Sequence, residues 1–190
     1  MTAPELSASA FSLFPQWLPV AAAQPAMSTA WWQWVASTDS LTARLMAAGE
    51  PGAFRVRLLR QTIGLPQRDE ALALGIAPRR YAWLREVALC IDETPWVVAR
   101  SVAPLHHLQG KGLGNLGERS LGSWLFQKPD LVRGPLEVTS AAPPFNRLTL
   151  VPSASSLWGR RSVFEHGGLS LLVQEYFLST MADALGLPSR

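Results

Sequence analysis

Cysteine, histidine and charge are all scarce in this sequence, and each scarcity closes off some chemistry. Cys90 is the only cysteine in 190 residues, so there is no internal disulfide and no cysteine-based zinc site. His106, His107 and His166 are the only histidines and lack metal-ligand spacing, so no metal is expected. Lys and Arg number 17 and Asp and Glu 14, a formal net charge of +3. The basic residues are scattered, with the tightest groups at Arg55, Arg57 and Arg60 and at the pairs Arg79–Arg80 and Arg160–Arg161. That footprint is too thin for a nucleic-acid surface and fits a small anionic ligand. A single, apolar-flanked cysteine is compatible with a reducing cytoplasm.

Long uninterrupted hydrophobic runs are also missing. No charged residue stands between Glu5 and Asp39, yet Pro15, Pro19 and several Gln and Ser residues break the segment, so no membrane span is expected. FSLFPQWLPVAAAQPA resembles the apolar region of a leader peptide only faintly. Glu5 precedes it, and the first basic residue is Arg44. Residues 1–30 are read as an apolar arm packed on the domain. Internal repeats and heptads are absent. The glycine-rich GKGLGNLG lacks the ending of a phosphate-binding loop.

What is present is a set of strand-like runs. They cover residues 53–60, 81–90, 95–103, 146–153, 159–166 and 169–178. A short turn at IDETP makes a hairpin of the second and third runs, and HGG makes one of the last two. Trp31, Trp32, Trp34 and Val35 read as a short helix. Ser40 caps LTARLMAA, which Gly49 closes. LGERSLGSWLF, residues 116–126, is the best late helix. With no regular βαβ alternation, the order predicts an α+β fold: one domain around an antiparallel sheet.

Two charges stand out on this background. Side chains alternate faces along a strand, so in YAWLREVALC Arg85 shares a face with Tyr81, Trp83, Val87 and Leu89. In LSLLVQEYFL, Glu175 sits with Leu171, Val173 and Phe177. Arg100 lies beside Trp96, Val98 and Val102. A buried, unpaired guanidinium costs on the order of 3–5 kcal/mol. Either Arg85 pairs with Glu175 inside the protein, or Arg85 awaits a ligand carboxylate and Glu175 holds a ligand hydroxyl or moves a proton. Alternation alone leaves both open.

YAWLREVALCIDETPWVVARSVAP, residues 81–104, resembles the central strands of the chorismate pyruvate-lyase family. STDSLTARL at 37–45, SLGSWLF at 120–126, and LWGRRS with LLVQEYFL within 157–178 agree in order and spacing. The resemblance spans residues from about 31 to 180. It implies a catalytic domain at 31–180 followed by a tail at 181–190, with an antiparallel sheet of about six strands and helical flaps over a buried pocket. It further implies a cytoplasmic, monomeric enzyme without a cofactor, converting chorismate to 4-hydroxybenzoate and pyruvate at the entry to bacterial ubiquinone synthesis. Product 4-hydroxybenzoate would be held tightly.

The resemblance puts the pocket arginine on Arg85, the pocket glutamate on Glu175, and further substrate contacts on Leu41 and Leu121. Arg85 and Glu175 would be the catalytic pair. Leu41 stands where methionine is familiar, and Ser120 where a proline commonly precedes the Leu-Gly. Arg160, Arg161 and Arg100 are candidates for the second carboxylate, with Arg100 placed rather in the fold, paired with Glu86 or Glu137. The alternative from another class is the small-molecule-sensing domain of bacterial transcription regulators, which the same fold resembles. Those carry a basic winged helix ahead of the sensor, where this chain has an arm with no basic residue and Glu5 as its one charge.

Overall fold

The computed structural model describes residues 16–77, 79–108, 112–143 and 156–189. Five long strands form its sheet: β2 Phe54–Gly64, β3 Ala82–Ile91, β4 Thr94–Pro104, β7 Ser156–His166 and β8 Leu169–Leu178. Three short ones extend it, β1 Leu18–Pro19, β5 Val132–Arg133 and β6 Glu137–Thr139. The order is β1-β6-β7-β8-β4-β3-β2, with β5 also pairing β7, and every pairing is antiparallel. The fold is α+β, as the order of elements predicts. Among the described residues there are eight strands, five of them expected runs and three too short, at two or three residues, to show alternation. The run expected at 146–153 lies outside the described residues.

Both hairpins form where the turn residues predict. At the β7–β8 turn, Gly167 and Gly168 both have positive φ, 51° and 78°, the geometry that a two-residue hairpin loop asks of its central residues. At the β3–β4 turn Asp92 takes the left-handed conformation, with φ 51°. All ten residues of β3 are buried, so both faces of the sheet centre are covered.

One face carries two hydrophobic clusters with a gap between them. The first gathers Val87, Leu89, Val97 and Phe177 under α2 (Thr29–Val35), α3 (Leu41–Ala48) and α6 (Ser179–Leu185). Trp83, Ala103, Phe164 and Leu171 form the second, beneath α5 (Leu121–Leu125) and the turn at Leu113–Asn115. Ser28, Ser40 and Ser120 each cap a helix by accepting from the main chain three residues on, as the sequence proposes for Ser40. The helix expected over 116–126 shortens to α5. Gly112 and Gly117 adopt positive φ, 70° and 53°, which a continuous helix does not tolerate.

α1 (Val20–Ala23) follows β1 at the sheet edge, and Trp17 packs edge-on against Tyr176 on the other face. That face is closed by α4 (Arg68–Ala73), a helix with no sequence signal strong enough to foresee. The residues assigned to the C-terminal tail begin inside α6. No helix among the described residues is long and apolar enough to cross a membrane.

Candidate active site

Register lays two rows of side chains across the gap between the clusters. Arg85, Ser101, Val173 and Ser162 oppose one another on β3, β4, β8 and β7. Val87, Ala99, Glu175 and Arg160 form the next row, two residues along each strand and on the same face. Leu41 and Leu121, the first residues of α3 and α5, close the space from above. Arg85, Glu175, Leu41 and Leu121 thus line a single cavity of about 50 Å³.

Arg85 is 1% exposed. Its Nη2 donates to the carbonyls of Gly117 and Arg119, both at 2.9 Å. Nε is buried without a hydrogen-bond partner. Burial without a facing carboxylate lowers its pKa from 12.5 to about 10. The internal Arg85–Glu175 pair does not form.

Glu175 pairs instead with Arg160, directly across β7, through a bond of 2.6 Å from Nε to Oε2. The Nη1 of Arg160 donates to the carbonyls of Trp34 and Ser37 at 2.9 and 3.0 Å. Arg160 is thereby committed to Glu175 and to the end of α2. A residue the sequence reading passes over, Arg133 of β5, also lines the cavity. Its Nε donates to Ser162 Oγ at 3.1 Å, Nη1 lies 3.4 and 3.3 Å from the carbonyls of Ser37 and Thr38, and the guanidinium lies over Phe164, 5.3 Å from the ring centre. Burial lowers its pKa, and the charge of Arg160 lowers it further, against the opposing pull of Glu175.

The two covering helices are joined. Thr42 Oγ1 and Ser120 Oγ share a hydrogen bond of 2.6 Å. Gly122 makes the approach possible, since a Cβ there would stand 2.9 Å from Thr42 Oγ1.

Arg100 and Arg161 face the other side of the sheet. A third row, Glu86, Arg100, Gln174, Arg161 and Glu137, crosses five strands there. Arg100 bonds Glu86 at 2.5 Å and Glu70 of α4 at 2.6 and 3.0 Å. Burial alone would lower its pKa, but the bonds and charges of Glu70 and Glu86 outweigh it and raise it. Arg161 bonds Glu137 and Asp69 at 2.7 and 2.9 Å. Both arginines therefore brace the fold. Of the pairing expected for Arg100, Glu86 is found, while Glu137 belongs to Arg161. Among the described residues no group of three His, Cys, Asp or Glu side chains could hold a metal ion.

The family model described as chorismate lyase matches residues 15–184. A protein named probable chorismate pyruvate-lyase in Chromohalobacter salexigens is 52% identical over 97% of this chain and 100% of its own length. One of the same name in Pseudomonas aeruginosa is 42% identical over 81% of this chain and 86% of its own. Among solved structures, the C-terminal domain of a histidine utilization repressor from Pseudomonas syringae matches with a TM-score of 0.54 at 10% identity, over 67% of this chain and 93% of its own. That likeness is one of fold alone.

Proposed function

The chain belongs to the chorismate lyase family, and on that premise we propose that it converts chorismate to 4-hydroxybenzoate and pyruvate. The observation that carries this reading is the placement of Arg85 and Glu175 in one cavity, on adjacent rows of one sheet face, under two short capped helices. We take the product's further use to be ubiquinone synthesis and the working form to be a cytoplasmic monomer without a cofactor.

Chorismate carries a carboxylate on its ring, a hydroxyl para to it and an enolpyruvyl ether, with a second carboxylate, on the carbon beside that hydroxyl. In the reaction the C–O bond of the ether breaks, and the hydroxyl-bearing carbon loses its proton. The electron pair of that C–H bond completes the aromatic ring, and the proton ends on the departing enolpyruvate as pyruvate. Aromatisation supplies the driving force, so the protein's work is to bind, orient and exclude water.

Arg85 is the receptor for the ring carboxylate. Its buried Nε lacks a partner, and an anion there offsets the cost of burying the guanidinium. The main-chain N–H groups of Leu41 and Leu121, at first helical positions, have no intrahelical acceptor and are offered to the ligand from above. Glu175, two strands from Arg85, accepts the ring hydroxyl and orients it, with its other side fixed by Arg160. A volume of about 50 Å³ holds only a few waters, so entry and release require the covers to part, and release of a tightly held product limits turnover.

The test is incubation of the purified protein with chorismate and no added metal or cofactor, beside Glu175→Ala. Equimolar 4-hydroxybenzoate and pyruvate, lost in the variant, establish the lyase. Intact chorismate, with a melting temperature still raised by 4-hydroxybenzoate, makes the protein a binding domain instead.

A further inference from the structure

The cavity wall carries more positive charge than one carboxylate can use. Arg160 is neutralised by Glu175 at 2.6 Å. Asp39, although at the rim, has a side chain 76% exposed and turned towards Arg44 at 3.9 Å. Arg85 and Arg133 are left as two cations without a carboxylate partner among the described residues. Arg100 and Arg161, the other buried arginines, are committed to acids on the opposite face.

The two cations stand at opposite ends of one row. Arg85 begins the row Arg85–Ser101–Val173–Ser162, and Arg133 binds the hydroxyl of Ser162 that ends it. Three interstrand steps separate the ends, roughly 14 Å between main chains, and both arginines line the cavity between them. Arg133 also lies on the Glu175–Arg160 side, close enough to be influenced by both charges. Its Nη2 donates to no described residue, and its Nη1 reaches the Ser37 and Thr38 carbonyls only by long bonds of 3.4 and 3.3 Å, whereas Arg160 holds the same cover with bonds of 2.9 and 3.0 Å.

We propose that Arg133 is the receptor for the enolpyruvyl carboxylate of chorismate. The assignment rests on the lyase reading above, because it uses the shape of that substrate. With the ring carboxylate on Arg85 and the para hydroxyl at Glu175, the ether carbon adjoins the hydroxyl-bearing one, so the second carboxylate must fall at the Glu175 end. Arg133 is the cation available there. It binds the half of the substrate that leaves as pyruvate and has no contact with the product's only carboxylate. Arg133 therefore discriminates a dianionic substrate from its monoanionic aromatic product, and helps substrate displace product.

Arg133→Met and Arg133→Lys test this through two ligands. The expected result for Arg133→Met is a loss of roughly 10- to 100-fold in kcat/KM for chorismate, with the Kd for 4-hydroxybenzoate, measured by calorimetry, within about twofold of wild type. Arg133→Lys, which keeps the charge but not the fork, falls between. Equal weakening of both ligands would mean that Arg133 only holds the Ser37–Thr38 loop, and unchanged chorismate kinetics would mean that the second carboxylate lies elsewhere. Both results overturn the proposal. If the wild type turns over no chorismate, the lyase reading fails separately, and calorimetric titration with intact chorismate against 4-hydroxybenzoate applies the same comparison to binding.

Discussion

Arg85 and Arg100 lie on neighbouring strands, both at least 95% buried, and point to opposite faces of the sheet. Arg100 meets two carboxylates within 2.6 Å, whereas Arg85, among the described residues, bonds only main-chain carbonyls. Their removal should therefore have opposite consequences.

Arg100→Met leaves Glu70 and Glu86 buried without their cation and should cost about 3–5 kcal/mol. Arg85→Met, of similar volume, removes a charge that burial disfavours. It should leave stability unchanged or raise it by about 1–4 kcal/mol, while abolishing the rise in Tm expected with 4-hydroxybenzoate. Urea unfolding of the two variants reads the difference. An Arg100→Met protein within about 1 kcal/mol of wild type would contradict the bracing role.

Glu175 is assigned to the hydroxyl end, away from the carboxylate anchor. Glu175→Gln retains an oxygen to face Arg160 but loses the charge and the ability to take a proton. Its kcat should fall roughly 100-fold or more, with the Kd for 4-hydroxybenzoate changed by less than about tenfold. Equal losses in both quantities would contradict a separate role in turnover.

Arg85 gives the pocket a pH signature. Burial holds its folded pKa near 10, against 12.5 for the free side chain, so the cost of burying the cation is fully present below pH 10. That cost fades between pH 10 and the unfolded value, as the folded protein sheds the proton first. Binding of an anion needs the cation. The affinity for benzoate, ionised throughout, should be flat from pH 7 to 9 and then fall towards about tenfold per unit above pH 10. In Arg85→Met the affinity should be weak and independent of pH over the same range, as isothermal titrations would show.

A hydroxyl pair, Thr42 and Ser120, ties the two covers together. Thr42→Val removes the 2.6 Å bond to Ser120 while keeping volume and leaving the Ser120 cap on Ser123 in place. A net hydrogen bond is worth about 0.5–1.5 kcal/mol, so product dissociation should quicken about 2- to 10-fold, with kcat rising if release limits it. Stopped-flow displacement of 4-hydroxybenzoate measures the rate. Unchanged dissociation would place the barrier outside this contact.

Alternation made the central strands legible and put Arg85 and Glu175 on apolar faces before any coordinates. The two-residue turn at Gly167–Gly168 also fixes the register of β7 against β8. Counting outward from that turn pairs Arg160 with Glu175 and Arg161 with Gln174, which separates two adjacent arginines that residue type cannot rank. Arg133 was hidden because β5 has only two residues and no period to read. Glu70 was hidden because α4 is a six-residue helix whose acid is buried by tertiary contact, a fact with no local signature. The clasp needed α3 and α5 side by side, and their residues lie 78 positions apart.

Three arginines grip the covers by main-chain oxygen: Arg85 at Gly117 and Arg119, Arg160 at Trp34 and Ser37, and Arg133 near Ser37 and Thr38. A carbonyl looks the same whichever residue bears it. Side chains along the covering loops are thus free to drift while the grip stays intact, and the burden of exactness falls on the arginines beneath. A saturation library should be permissive at Thr38 and Arg119, both exposed and both offering only a carbonyl to the grip, and intolerant at Arg85 and Arg160, where even lysine cannot span several oxygens at once.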